Sequence, residues 1–248
     1  MADPTLTIEE RAAINGGRWF ASLSPTLRHD ILRRATVQRY RDGDVLAARG
    51  EPAQGWIACA RGAVRVSSIS LTGKQTTLNY VEPGIWFGDV AIFDGGRRTH
   101  DACAHGDTSI VTVAKADFFA ILAEHVELYE ALLRLQSRRI RLLFGLVEDL
   151  NSLPLRARLA KQLLHLGRAY GECGSDEPGR PAGGVGPDEV RITLQLAQEE
   201  LAHLLGASRQ RVNQELKTME REGLLRVDPA GMVLRDRVVL GRIAEDQH

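Results

Sequence analysis

From residue 37 to residue 114 a glycine interrupts the sequence every four to eleven positions, at Gly43, Gly50, Gly55, Gly62, Gly73, Gly84, Gly88, Gly95 and Gly106. Strand-like runs lie between these breaks, at 63–71, 75–81 and 108–114, and turn-type pairs such as Asp42-Gly43, Thr72-Gly73 and Asp94-Gly95 sit at them. Several short strands at this spacing predict a β-sandwich or jelly roll that closes on itself. Ahead of it, after a polar tail, Trp19, Phe20, Leu23, Leu27 and Ile31 predict a short helical preface over 18–34.

The glycine rhythm then stops. Residues 116–152 hold no proline and one glycine, Gly145, and their apolar residues lie on two sides of a helix. Gln136, Ile140, Leu143, Val147 and Leu150 alternate in steps of four and three, the spacing of a coiled-coil seam. Leu128, Leu132, Leu135, Leu142 and Leu146 form the second face. A helix apolar on two sides needs two partners. The economical pair is the β-roll on one side and the same helix of a second chain on the other, so a homodimer is expected.

Asn151-Ser152-Leu153-Pro154 breaks that helix. Beyond it, Leu196–Leu225 reads LAQEELAHLLGASRQRVNQELKTMEREGLL, two helical patterns around Gly206-Ala207-Ser208. Ala202 is small where two helices would cross, Gly206 can take a positive φ, and Ser208 is a natural N-cap. A small residue, a glycine four later and a β-branched residue six after that make the spacing of a helix-turn-helix. With Val212, Leu216 and Met219 inward, the side chains of Arg209, Gln210, Asn213, Gln214 and Lys217 share the outer face. Arginine suits guanine, Asn and Gln suit adenine, and lysine suits phosphate, so double-stranded DNA is the expected partner. Arg211 stands four residues before Glu215, where an ion pair competes with a phosphate contact. The strands expected over 223–227 and 232–234, around Pro229-Ala230-Gly231, make a wing. The Gly/Pro/acid-rich stretch 171–189 predicts an exposed loop.

Composition narrows the alternatives. Thirty-two basic residues balance 32 acidic ones, which excludes a uniformly basic coat and leaves room for a local patch. No uncharged run exceeds nine residues, and the start, MADPTLTIEERAA, has no apolar core, so neither a membrane span nor a secretory signal is expected and the cytoplasm is the expected location. Cys59, Cys103 and Cys173 are scattered and form no CxxC, and the seven histidines show no HxH spacing, so no metal site is assigned. No catalytic residue is assigned either. An enzyme of the cupin type would need convergent metal ligands that the sequence does not display.

One stretch of the β-region carries binding chemistry: PGIWFGDVAIFDGGRRTHDACA, 83–104. A glycine-bounded turn at Gly88-Asp89 lets backbone N–H groups converge on an anion, and Arg98-Thr99 offers a bidentate clamp and a hydroxyl. Asp89 could accept a ribose hydroxyl, or simply pair with Arg98.

Over nearly its whole length the chain resembles the CRP/FNR family of bacterial transcription regulators. The order β-roll, long helix, winged helix-turn-helix is that family's. GDVAIFDGGRRT resembles its phosphate-binding cassette, and GASRQRVNQELKTMEREGLL its recognition helix. The resemblance implies an α+β fold: an N-terminal helix and cyclic-nucleotide-binding-like jelly-roll sensor domain at 1–115, a dimerisation helix at 116–153 and a winged helix-turn-helix domain at 154–248. It places Gly88, Asp89, Arg98 and Thr99, with Arg139 and Leu143 on the long helix, at effector-binding positions. Arg209, Gln210 and Gln214 fall on base-reading positions, within a DNA-binding set that includes Ser208, Arg211, Asn213 and Lys217. Two departures matter. Asp89 stands where the family usually has Glu, and Leu143 and Phe144 stand where cAMP-dependent members carry a Thr-Ser pair on the adenine. An apolar pair cannot make those hydrogen bonds, which argues against cAMP and leaves cyclic di-GMP or a vestigial pocket. The N-terminal cysteine cluster of oxygen-sensing members is missing. The 171–189 loop lies where family members meet RNA polymerase, an expected partner if the protein activates. A nucleotide-binding subunit acting on a protein partner is the alternative reading, but it would not need a winged helix.

Overall fold

The computed structural model describes residues 5–69, 75–173, 189–228 and 231–245. The chain divides into two compact units, Met1–Arg141 and Leu142–His248, with the division inside one long helix.

The first unit opens with a helix in the segment expected to be a polar tail. In α1 (Ile8–Gly16) the Thr7 hydroxyl accepts the Glu10 amide at 3.1 Å and the Glu10 carboxylate accepts the Thr7 amide at 2.8 Å. This reciprocal box satisfies two backbone donors that a helix start otherwise leaves open. Glu10 is itself buried, and burial raises its pKa. Hydrogen bonds from Ser109 and Thr7, with the charges of Arg39 and Arg61, overcome that and hold the carboxyl below its usual value. A short turn at Phe20–Ser22 and α2 (Pro25–Arg33), N-capped by Ser24, realise the helical preface. All five of its predicted apolar residues are buried.

The strands β1 (Ala35–Tyr40), β2 (Val45–Ala47), β3 (Gly55–Ile69), β4 (Gln75–Val81), β5 (Trp86–Phe87) and β6 (Asp101–Ala114) pair antiparallel in the order β1-β6-β3-β4, with β2 on β6 and β5 on β3. The expected strands at 63–71 and 108–114 are the second halves of much longer ones. Gly62 and Gly106 lie inside β3 and β6, where the register shifts between Arg61 and Ala63, and they mark a bulge rather than strand ends. Gly62 has φ +76°, and a Cβ there would stand 2.6 Å from the Asp107 carbonyl, so the bend requires glycine. Both faces of β3 are covered. Ile57, Cys59 and Val64 point into a core with Val81, Ala102 and Ile110, while Trp56, Ala58 and Ala60 join the helices. On that second side Trp56 and Trp86 lie 4.1 Å apart between ring centroids, with Phe20 on Trp86 and Phe118 against Trp56. The Cys59 thiol sits inside the roll, where burial pushes its pKa up to about 12.

After β5 comes the single turn α3 (Val90–Phe93). The continuous helix expected over 116–152 is broken in the structure. It divides into α4 (Lys115–Glu124) and α5 (Glu127–Ser152) at His125 and Val126. Of the face assigned to the β-roll, Leu128 and Leu132 are buried and Leu135 packs on the same core, but Leu142 and Leu146 are exposed. The seam residues Ile140, Leu143, Val147 and Leu150 are exposed as well, Leu143 by 58% and Val147 by 56%. Their three-four spacing continues upstream through Leu133, Tyr129 and Val126, all exposed, a longer stripe than the sequence reading gave.

The second unit contains α6 (Leu155–Ala169), β7 (Gly171–Cys173), β8 (Val190–Ile192), α7 (Gln198–Leu205), α8 (Arg209–Arg221), β9 (Leu225–Asp228), β10 (Gly231–Leu234) and α9 (Arg237–Glu245). Its sheet runs β7-β8-β10-β9. The expected loop at 171–189 is corrected at its start, where Gly171–Cys173 pairs with β8. Residues 174–188 lie outside the described residues, as do Pro229 and Ala230 at the tip of the expected wing.

Candidate functional site

The chemistry of the first unit gathers where β5, α3 and the start of β6 meet. Gly88 has φ +85°, and a Cβ there would stand 3.1 Å from the Arg98 guanidinium, so glycine lets the backbone approach that cation. Arg98 is held by its own backbone, whose amide donates to the Glu51 carbonyl and whose carbonyl accepts the Gly50 amide, both at 2.8 Å. Its Nη2 donates to the Gly55 carbonyl at 3.3 Å. Burial lowers the Arg98 pKa, and Glu51 raises it by a smaller amount. Gly88, Arg98 and Thr99 line one pocket of about 140 Å³, with Arg97, His100 and an apolar wall that includes Val66 and Phe87. Arg97 donates to the Gly50 carbonyl at 2.7 Å, and Thr99 Oγ1 lies 2.8 Å from His100 Nδ1.

Asp89 is placed differently from the expectation. It is fully buried and does not line that pocket. Arg139 Nη1 donates to Asp89 Oδ1 at 3.0 Å and to Oδ2 at 3.3 Å, and the Gln136 amide also donates to Oδ2. Arg139 Nη2 donates to the Trp86 carbonyl. Asp89 is therefore not a free acceptor for a ribose hydroxyl, and it pairs with Arg139 rather than Arg98. Gln136, placed by its spacing on the dimer seam, is turned instead to the cassette of its own chain. Leu143, assigned with Arg139 to the effector, is exposed on the second unit's part of α5.

In the second unit Gly206 adopts φ +59° at the end of α7, the left-handed conformation the turn requires. Arg158 from α6 holds that turn by donating to the Leu205 carbonyl at 2.9 Å, a contact that no motif announced. Ser208 caps α8 by accepting the Arg211 amide at 3.4 Å. Val212, Leu216 and Met219 are buried, which leaves Arg209, Gln210, Arg211, Gln214 and Lys217 exposed. Arg211 forms no ion pair with Glu215 among the described residues. Asn213 departs from the expected outer face. It is half-buried, and its Oδ1 is enclosed without a hydrogen-bond partner. Strands β9 and β10 pair antiparallel as the wing.

Asp30, Glu124 and His125 bring three metal-capable groups together. Arg33 and Arg34 already compensate them, Arg33 reaching Asp30 at 2.5 Å and Arg34 pairing with both Asp30 and Glu124. The Arg33 hydrogen bond, with help from His125 and Arg34, holds the Asp30 carboxyl below its usual value. Two guanidinium groups do here what a cation would do.

Residues 37–125 match the cyclic nucleotide-binding domain, and residues 157–243 match the Crp-like helix-turn-helix domain. The chain belongs to the CRP/FNR family of DNA-binding transcriptional regulators. It is 28% identical to the CRP-like cAMP-activated global transcriptional regulator of Mycobacterium tuberculosis, over 91% of this chain and 95% of that protein. It is 29% identical to the cyclic AMP receptor protein of Thermus thermophilus, over 93% and 98%. A solved CRP-family transcriptional regulator from Thermus thermophilus superposes with a TM-score of 0.66 at 25% identity, covering 84% of this chain and 97% of that one. These are regulators rather than enzymes, which sets aside cupin-type catalysis.

Replacing Arg139 by alanine would leave a buried carboxylate without its cation. Loss of one partner of such a pair costs about 3 kcal/mol. Arg139→Ala is expected to lower the urea midpoint of the first unit, followed by tryptophan fluorescence, with Arg139→Lys losing less. An unchanged midpoint would show that the Arg139–Asp89 pair is not what holds the cassette.

Proposed function

We propose that the chain works as a homodimer in the cytoplasm, pairing through α5 and placing each α8 in a major groove of a pseudo-palindromic operator. The half-sites would lie about one helical turn, roughly 34 Å, apart. The observation that carries this reading is the exposed face of α8, where Arg209, Gln210, Gln214 and Lys217 stand clear of a buried Val212–Leu216–Met219 stripe. Arg209 suits a guanine, Gln210 and Gln214 suit adenines, and Lys217 and Arg211 suit phosphates. RNA polymerase joins the partners if the protein activates.

The sensor reading rests on Arg98, a half-buried cation facing a pocket with the Gly88 backbone and Thr99 beside it. That chemistry takes a phosphate-bearing effector. The relatives' names specify cAMP. Here Leu143 and Phe144 offer an adenine no hydrogen bonds and Asp89 is committed to Arg139, which favours another cyclic nucleotide such as cyclic di-GMP. An effector that prefers one arrangement of the α5 pair would shift the dimer between two states and re-aim α8.

Three outcomes test this. Arg209→Ala should cost about 1–3 kcal/mol on the operator and relax preference at one base pair per half-site, whereas Lys217→Ala should weaken all sequences alike and flatten the salt dependence. Equal losses on operator and random DNA for both variants would remove Arg209 from base reading. Leu143→Glu with Val147→Glu should split the dimer in sedimentation while the β-roll stays folded, because the seam would bury unpaired charge. Arg98→Ala should lose about 1.5–3 kcal/mol of effector affinity, read by calorimetric titration with cyclic di-GMP and cAMP. A response untouched by that change would move the sensor elsewhere.

A further inference from the structure

One of the seven histidines, His100, stands in the wall of the cassette pocket. It follows Arg98 and Thr99 directly in the chain and shares the opening of about 140 Å³ with both of them and with Arg97. Its Nδ1 lies 2.8 Å from Thr99 Oγ1, and its Nε2 has no hydrogen-bond partner among the described residues. Arg49, in the turn after β2, and Asp101, at the start of β6, act on the ring through their charges. The Arg49 amide fixes Asp101 by donating to its Oδ1 at 2.8 Å. Arg97 and Arg98 donate to the Gly50 and Gly55 carbonyls, and Glu51 acts on Arg98. Burial and then Arg49 outweigh Asp101 and hold the ring below its ordinary value of 6.5. Without a ligand the imidazole is therefore uncharged at neutral pH.

The contact with Thr99 depends on that charge. A neutral ring that accepts at Nδ1 takes the one hydrogen the Thr99 hydroxyl can donate. A protonated ring has no acceptor, so Nδ1 must donate to Thr99 Oγ1, and the hydroxyl hydrogen is released for a group in the pocket. The Nε2–H becomes a charge-assisted donor in the same step. An anion beside the ring favours this charged form, as an opposite charge at close range does for any titrating group. Resting on the reading of this pocket as an anion site, we infer that His100 is a further ligand-binding residue of the cassette, and that the pocket takes up an anion and a proton together. The ring's pKa is low without the anion and raised with it. The added affinity is therefore fully present below the unliganded value and is lost as the pH rises through the liganded one. A cyclic phosphodiester keeps its negative charge throughout that range, so the pH dependence belongs to the protein.

Sulfate is the first probe, because it carries the anion chemistry without a nucleotide and does not itself titrate in this range. It is titrated into the full chain at constant ionic strength, with the histidine ring resonances followed by NMR from about pH 5 to about pH 8. His100→Gln identifies the His100 signal by its absence. Saturating sulfate should raise the His100 midpoint by about one unit, and sulfate should bind about tenfold more tightly at the acid end than at the alkaline end. The affinity of His100→Gln should be flat over the same range, and Arg98→Ala should weaken binding at every pH. An unmoved His100 midpoint at saturation, or a pH dependence that persists in His100→Gln, would overturn the role of His100 and leave the anion pocket standing. Absence of saturable binding, or binding indifferent to Arg98→Ala, would overturn the pocket and this inference together. Cyclic di-GMP is the second probe. If it fails to bind where sulfate moves the His100 midpoint, the cyclic-nucleotide reading falls while the role of His100 is supported; if it binds with the same proton uptake, both are supported.

Discussion

Asp89 sets the terms for the sensor half of this chain. A carboxylate with no access to water keeps its charge only if a cation and hydrogen-bond donors come to it. Both come from one element, because Arg139 and Gln136 stand one turn apart on α5. Arg139 also caps the Trp86 carbonyl, so the strand leading into the cassette, the cassette turn and the long helix meet at a single guanidinium. Gly88 precedes Asp89 in the chain, and only its missing side chain leaves room for the Arg98 guanidinium, which a Cβ would approach to 3.1 Å. The pocket residue Gly88 is therefore one peptide away from the group that anchors α5, and the link from that group to the helix is the Asp89–Arg139 ion pair.

The same pair explains an error that spacing alone produces. Gln136 falls on the seam by the alternation of three and four, and a polar residue there reads as a register device. Periodicity groups residues on one helix face and is silent about what lies opposite. Upstream of Gln136 the stripe resumes at Leu133, Tyr129 and Val126, all solvent-exposed in the single chain. The exposed stripe is thus apolar on both sides of one inward-turned glutamine. What Gln136 faces depends on a residue 47 positions away in sequence, and no local pattern encodes that.

Other parts were legible because their determinants are local. Gly206, Ser208 and the Val212–Leu216–Met219 stripe specify turn, cap and buried face within about a dozen residues, and the structure places each as expected. The Thr7–Glu10 box is equally local and was present in the sequence as a Thr-x-x-Glu pattern, hidden by the polar character of its surroundings. Glycine was the ambiguous signal. The same residue type starts β3 at Gly55 and bends it at Gly62, and what sets Gly62 apart is a positive φ beside a shift of register. Asn213 shows the limit from the other direction. A helical wheel puts it outward, but its position flanking the buried stripe encloses its side-chain oxygen.

The charge balance of the whole chain bears on how its helix-turn-helix half can meet a polyanion. With 32 residues of each sign the molecule has no net charge to draw it to phosphate, so any such attraction has to come from local groups of cations. Arg209, Arg211 and Lys217 are exposed without carboxylate partners among the described residues, and Glu220 accepts the Val227 amide at 3.0 Å. Farther along, Glu222 is taken by Arg156 of α6. Glu220 and Glu222 thus fasten α8 to the wing and to α6, and Glu215 is the remaining carboxylate of that helix. A near-neutral protein thus leaves Arg209, Arg211 and Lys217 exposed on α8 while two of its nearby carboxylates are bound to the elements behind it.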